Sequence, residues 1–447
     1  MNRFPSSTTS AWATLALLAA CGGPSKQEKA EAATTTPADT VATAASPVNL
    51  PEPYATKSVT KRSKVIGWPA GKMPTAPAGF VVTKYADGLV SPRNTYVLPN
   101  GDVLVAEANT VPTDVKEKVT AQLELDPSKS LRARSANRIT LLRDTNKDGT
   151  PDTRTTFLAG LNQPFGMALL EGNFYVANTD GVWRYPYKSG ATSISGKGEK
   201  ILTLPAGGYN NHWTRNLLAG PGGRKLYISV GSASNVAEHG MKEEERRANV
   251  LEINPDGSGE RVYAAGLRNP VGLDWAPGTQ TLWSAVNERD ELGDELVPDY
   301  LTSVQPGKFY GWPYAYFGQK EDPRRKGERP DLVQQTVLPE VALGPHTASL
   351  GLAFYKASAF PQKYRNGAFI GQHGSWNRSA FSGYKVVFVP FSNGRPSGPM
   401  EDFLTGFIAN EADKEVYGRP VGITALPDGS LLVADDAADT LWRVAAR

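Results

Sequence analysis

The chain has 447 residues, a formal net charge of +3 and 21% charged residues. One cysteine rules out an internal disulfide scaffold, and a near-neutral balance without a basic stripe argues against nucleic acid as the partner. The length suits two or three ordinary domains or one long all-β domain, and 44 glycines with 34 prolines favour the latter.

Residues 1–21 read as an export signal. Arg3 supplies the positive start and Trp12 to Ala20 the apolar core, which is shorter than the roughly 20 residues a membrane span needs. The core ends in Leu18-Ala19-Ala20-Cys21, which resembles the lipobox of bacterial lipoproteins. That resemblance implies lipidation at Cys21 and an exported chain, anchored to the membrane by lipid alone and facing the periplasm. Gly22 in place of Asp after the cysteine points to the outer membrane. Residues 22–55 are mostly Ala, Thr, Pro, Ser and Glu, too poor in large apolar groups to offset the entropy of ordering, so a flexible tether is expected. The folded body is expected over residues 56–447.

Within the body a glycine-bearing turn followed by an alternating strand recurs. Its copies are Leu98 to Glu107, Leu170 to Asn178, Gly222 to Gly231, Ala276 to Asn287, Arg365 to Gln372 and Leu426 to Asp435. Six copies predict an all-β fold, a six-bladed β-propeller with loop insertions. A second element, polar–Pro–apolar–Gly, precedes several copies: Gly160 to Ala168, Gly266 to Asp274, Gly418 to Thr424 and, more weakly, Gly88 to Asn94. If these are innermost strands, the polar residues before each proline line one mouth of a central channel. Gly79 to Tyr85 and Thr440 to Val444 are expected to pair and close the ring, which removes an open sheet edge. Asn109 to Asn137 and Tyr314 to Gly344 are expected to be excursions beyond the blades.

Asp144, Asn146, Asp148 and Asp152 place oxygens at alternate positions around Gly149, as in the front half of a calcium loop. The glutamate expected at the twelfth position is absent, and Thr155 stands there. An Asx-stabilised hairpin turn accounts for the same residues equally well. Asn287-Glu288-Arg289-Asp290 clusters carboxylates after a strand end, where a hard cation or a salt-bridged loop would fit. Arg268, Arg378 and Arg419 occupy matching ends of three blades, and their convergence would suit a ligand with several carboxylates. Tyr209-Asn210-Asn211-His212-Trp213-Thr214-Arg215-Asn216 is a polar loop carrying one of only four histidines. His239 lies in a charged, solvated segment; His346 and His373 are placed to face the channel, His373 as a substrate or supporting contact.

Asn211-His212-Trp213-Thr214-Arg215, Gly266-Leu267-Arg268-Asn269-Pro270, Asn287 to Asp290, Gly311-Trp312-Pro313 and Gly418-Arg419-Pro420 together resemble the soluble quinoprotein sugar dehydrogenases, in particular the sorbosone dehydrogenase-like branch. The resemblance runs from about Gly79 to Val444. It implies pyrroloquinoline quinone (PQQ), a tricarboxylate, bound over calcium (Ca2+), and oxidation of an aldose or aldehyde. It implies that His212 is the general base and that Arg268 stands beside the reacting carbonyl. Cofactor contacts are implied for Asn269, Arg419, Gln163 (or Asn162) and the fifth-blade cation, Arg378 (or Asn377). Backbone carbonyls of Val286, Asn287 and Glu288 would hold the calcium. Ser232 stands where better-known members carry an aspartate that orients the base. No Cys-x-x-Cys-His segment exists for a haem, so electrons would pass to an external acceptor, a quinone or a cytochrome. The alternatives are a calcium-dependent propeller lactonase or esterase, and a propeller that binds ligands without catalysis.

Overall fold

In the computed structural model, residues 48–112 and 114–447 are described. The export signal, Cys21 and most of the tether lie outside them. The body is all-β and carries six four-stranded antiparallel sheets. The second strand of each sheet is one copy of the repeat: Val103–Glu107, Asn173–Asn178, Leu226–Val230, Leu282–Val286, Ala368–Gln372 and Leu431–Asp435. The first strands are Pro92–Val97, Gly166–Leu170, Leu217–Ala219, Pro270–Trp275, Ser349–Phe354 and Pro420–Ala425. Each touches the next, and the last touches the first, so the six innermost strands form a closed succession. The proline-led elements predicted to be innermost are four of them; the other two follow His212 and His346.

Glycine permits this succession. A Cβ at Gly351 would sit 2.0 Å from the Val421 carbonyl, one at Gly166 would sit 2.2 Å from Leu217 N, and one at Gly422 2.7 Å from Arg93 O. Neighbouring inner strands therefore approach backbone to backbone. Phe165, Val271, Leu350 and Val421, each next to that position in its strand, form a small buried apolar cluster. Between the sheets lie larger apolar layers, the most aromatic built from Phe80, Phe360, Tyr364, Phe369 and Phe403 in mostly edge-to-face contact. Phe80–Ala86 pairs with Thr440–Ala446 as the outermost strand of the last sheet, the closure expected from the sequence.

Two boundaries differ from the sequence reading. Among the described residues packing already includes Val48, ahead of residue 56, because Val48 and Leu50 are apolar enough to join a core cluster and Tyr54 N donates to Leu292 O at 2.8 Å. The excursion over 314–344 ends sooner, since Val341–Pro345 is the fourth strand of the fourth sheet. The 109–137 excursion holds a short helix, Val115–Gln122, capped by Asp114. It then turns back over the inner-strand ends, where Ser130 Oγ accepts from Arg419 and Arg132 reaches Asp439.

Gly351→Ala is expected to destabilise the fold by at least about 2 kcal/mol, since the backbone carbonyl it meets cannot rotate away. Gly196→Ala, with nothing within 4 Å of its Cβ, serves as control and should stay within about 0.5 kcal/mol in urea unfolding. Equal transitions for the two variants would contradict the close-approach argument.

Candidate active site

The loops that enter the innermost strands carry His212, Arg268, Asn269, His346 and Arg419, and His373, just after the second strand Ala368–Gln372, joins them. His212 Nδ1 lies 2.9 Å from the Ser232 carbonyl and 3.0 Å from Ser232 Oγ. A carbonyl only accepts, so Nδ1 carries the proton and Nε2 keeps its lone pair. Nε2 makes no hydrogen bond to any described residue. Burial and the Arg268 charge push the His212 pKa down to about 3, so the imidazole is neutral. Gly231 makes room, since a Cβ there would fall 2.6 Å from the His212 Cβ and 2.4 Å from Asn269 Oδ1.

Arg215 holds this loop from within. It is fully buried, donating to the carbonyls of His212, Thr214 and Pro205 and to Asn210 Oδ1. None of these acceptors is a carboxylate, and burial with Arg247 nearby lowers its pKa to about 9. The guanidinium acts as a multi-point clamp for carbonyls rather than as half of an ion pair.

Arg268 donates from Nε to Asn235 O, from Nη1 to Asn287 O (3.3 Å) and Glu288 O (2.6 Å), and from Nη2 to Asn235 Oδ1 and Asp290 Oδ2. Arginine has five N–H donors, and all five are engaged. Arg268 therefore offers the site a fixed positive charge rather than a hydrogen bond. It also occupies two of the three carbonyls expected to hold calcium, so a cation at Val286–Glu288 has to share or displace that contact. Asp290 links Arg268 to His346, whose Nδ1 and Nε2 face Asp290 Oδ1 (3.1 Å) and Gly293 O (2.8 Å). Although burial opposes it, the bond to Asp290 holds His346 above the ordinary histidine value.

A second cluster surrounds His373. Its Nε2 lies 2.8 Å from Asp436 Oδ1, and Arg93 pairs with the other carboxylate oxygen. Arg93 also sits 5.3 Å from the Trp213 ring, which joins this cluster to the His212 loop. Arg419 donates to His373 O, Gly374 O and Ser130 Oγ, so some of its N–H groups remain available. Burial and Arg419 bring the His373 pKa down to about 4; Asp436, despite burial, is held well below the carboxylate range by His373 and Arg93. Arg93 is paired with Asp436, whereas the Arg419 guanidinium bonds only carbonyls and a hydroxyl. Arg93 was missed because its segment, Ser91-Pro92-Arg93-Asn94, is the weakest copy of the inner element; its place beside the proline that opens the strand was the available signal.

Arg378 does not join these groups. It pairs with Glu295 and donates to Asp294 O, because its loop runs beyond the strand end to meet the 294–295 turn. Asn377 is likewise tied up, accepting from Glu291 N and donating to Val59 O. Gln163 is buried and donates to Asn109 O. The Asp144–Asp152 hairpin shows Asx geometry: Asp144 accepts from Asp148 N and Gly149 N, Asp148 from Thr150 N, and Asp152 from Thr145 N. Among the described residues no group of three or more His, Cys, Asp or Glu is arranged to hold a metal.

A family model described as Glucose / Sorbosone dehydrogenase matches residues 176–377, and a TrAA12-like model matches 326–447. An uncharacterised protein of Borreliella burgdorferi is 31% identical over 300 residues, 65% of this chain and 77% of that protein. The chain belongs to the glucose/sorbosone dehydrogenase family. Within that family, aldose sugar dehydrogenase YliI of Escherichia coli is 33% identical over 203 residues, 44% of this chain and 46% of YliI. A pyrroloquinoline quinone-dependent pyranose dehydrogenase of Coprinopsis cinerea is 25% identical over 59% of this chain and 43% of its own length. The chain thus spans about half the length of these two relatives. The fold matches the Trichoderma reesei family AA12 enzyme (TM-score 0.67, 19% identity, 84% of this chain and 97% of that one). It also matches the PQQ domain of the Coprinopsis cinerea enzyme (TM-score 0.65, 20% identity, 86% and 100%). His212, Ser232, Arg268 and His373 fall inside the first family match, and Arg419 inside the second.

The pKa directions fix a sign. His212 and His373 stay neutral where free histidine, at 6.5, takes a proton, so unfolding absorbs protons below that value. Their contribution to stability is present above pH 6.5 and is lost as pH falls toward about 4 and then 3. In an NMR titration from about pH 8 to 5, neither ring should show an inflection, whereas His346 should titrate above the ordinary value. A His212 midpoint near 6.5 would contradict the buried, neutral assignment.

Proposed function

We propose that the chain is a PQQ-dependent oxidoreductase acting on an aldose or an aldehyde, sorbosone-like or another sugar, with the six sheets as the blades of a propeller and the cofactor at the mouth where the inner strands begin. The observation that carries this is His212: a neutral imidazole whose Nδ1 is committed to a backbone carbonyl, leaving Nε2 as a base. Its relatives' activities support the redox chemistry.

The residues at the mouth fit a tricarboxylate. The Arg419 guanidinium pairs with no carboxylate, and buried polar atoms there lack partners: Arg93 Nε, Asn269 Oδ1 and both amide atoms of Asn109. An anionic, hydrogen-bonding ligand would satisfy such groups, which are costly when left unpaired. Arg93 and Arg419 would hold it, with Asn269 and Asn109 beside it. When bound, PQQ supplies a two-electron acceptor for the substrate's hydride. His212 Nε2 takes the proton of the substrate hydroxyl, while the Ser232 carbonyl steadies the charge that appears on the ring through Nδ1–H. Arg268, with its donors spent, stabilises developing negative charge by field alone. Calcium would bind at the Asn287 and Glu288 carbonyls by sharing them with Arg268.

The test is reconstitution. Purified chain with PQQ and calcium should reduce a dye with sugars or aldehydes; no cofactor spectrum and no dye reduction would overturn the reading. His212→Ala should abolish turnover with cofactor affinity nearly unchanged. Arg419→Ala should weaken cofactor affinity by about 10- to 100-fold, the value of a charge-assisted bond. Unchanged affinity would remove Arg419 from the cofactor contacts.

We also place the protein at the periplasmic face of a membrane, the outer one by Gly22, through a lipid on Cys21, with the segment after Cys21 as tether and an external quinone or cytochrome as electron acceptor. Cys21→Ser should shift it from the membrane to the soluble fraction; an unchanged distribution would exclude the anchor.

A further inference from the structure

The turn at 231–236 supports both halves of the site. Ser232 receives His212 Nδ1, Ala233 O accepts from Asn211 N at 2.9 Å, and Asn235 holds Arg268 and the Asp290 amide. The charged stretch that follows, expected from the sequence to be solvated, is turned partly inward. Glu244 is buried, and its two oxygens accept from Ala233 N at 2.7 Å and Ser234 Oγ at 2.6 Å. Ser232 Oγ in turn donates to Ser234 O at 2.7 Å. The carboxylate therefore closes a short hydrogen-bonded chain that ends on the base: Glu244, Ser234, Ser232, His212.

We propose that Glu244 is a positioning residue for His212, locking the 232–234 turn so that the Ser232 carbonyl meets Nδ1. It takes over, through the turn, the orienting role that an aspartate at position 232 would have performed by direct contact. The proposal rests on the reading of His212 as the base. A carboxylate suits the task because it accepts from an amide and a hydroxyl at once. Alanine leaves both donors buried without a partner. Glutamine keeps both contacts, accepting Ala233 N–H on Oε1 and donating from Nε2 to a rotated Ser234 hydroxyl.

The experiment has two arms. In cofactor-free, full-length protein labelled with 15N-histidine, with His212 assigned by its loss in His212→Ala, the wild type should show the proton on Nδ1. Glu244→Ala should show a mixture of tautomers, and Glu244→Gln should restore the wild-type form. In reconstituted enzyme, Glu244→Ala should lower kcat by about 10-fold or more while KM and PQQ affinity move less than about threefold, and Glu244→Gln should recover most of kcat. Should Glu244→Ala fail to fold, Ser234→Ala deletes one contact and should shift the tautomer and kcat in the same direction by less. A wild-type tautomer and kcat in Glu244→Ala would overturn the proposal. So would a parallel fall of kcat, KM and cofactor affinity in both Glu244 variants, which marks a structural role only. The first arm needs no cofactor: a locked tautomer that responds to Glu244, in a protein with no turnover, would sustain the positioning role and overturn the enzymatic reading.

Discussion

The structure depends on how closely its innermost strands approach one another. At Gly166, Gly351 and Gly422 the neighbouring backbone stands where a Cβ would lie, so no side chain separates one sheet from the next at that level. Six sheets can then close around a narrow apolar centre of Phe165, Val271, Leu350 and Val421. One consequence is directional. Every inner strand begins at the same mouth, so the residues at or just before its start, Arg93, Gln163, His212 with its loop, Asn269, His346 and Arg419, are delivered to one place from segments far apart in the chain.

The electrostatics of that place follow from burial. Its arginines are handled differently: Arg215 is dissolved in carbonyls, Arg268 is saturated by carbonyls and one carboxylate, and Arg93 is paired with Asp436 while Arg419 is not paired with a carboxylate. Arg93 and Arg419 keep unspent donors, as does Arg215 at Nε. Two of the histidines, His212 and His373, are driven neutral by desolvation and nearby guanidiniums, and each is oriented by an acceptor on one nitrogen. The same field that keeps His212 deprotonated favours negative charge on a ligand beside it, so the free lone pair and anion binding share one physical origin.

Much of this was legible in the sequence. The glycine turn followed by a short apolar strand marked all six second strands, because turn chemistry and strand-forming composition are local properties, although these strands are buried on both faces rather than alternately. Ring closure by Phe80–Ala86 and Thr440–Ala446 was legible because both termini read as strands with no other partner. What local pattern could not carry was the direction of side chains in long loops. Arg378 has the same charge and strand-end position as Arg419, yet Glu295 captures it. The stretch Glu238 to Arg247 looks solvated by composition, yet Glu244 and Arg247 turn inward. The partner of His212 was illegible for a different reason: it is chiefly a backbone carbonyl, and no residue type announces one.

The central claim is that an anionic quinone sits at this mouth with His212 as the base beside it. A crystal structure of the chain reconstituted with PQQ tests it most directly. The account predicts the cofactor's carboxylates within hydrogen-bond distance of Arg419 and Arg93, and its reacting carbonyl region on the Nε2 side of His212. Cofactor bound elsewhere on the molecule, or His212 turned so that Nδ1 faces the ligand and leaves Ser232, would contradict it.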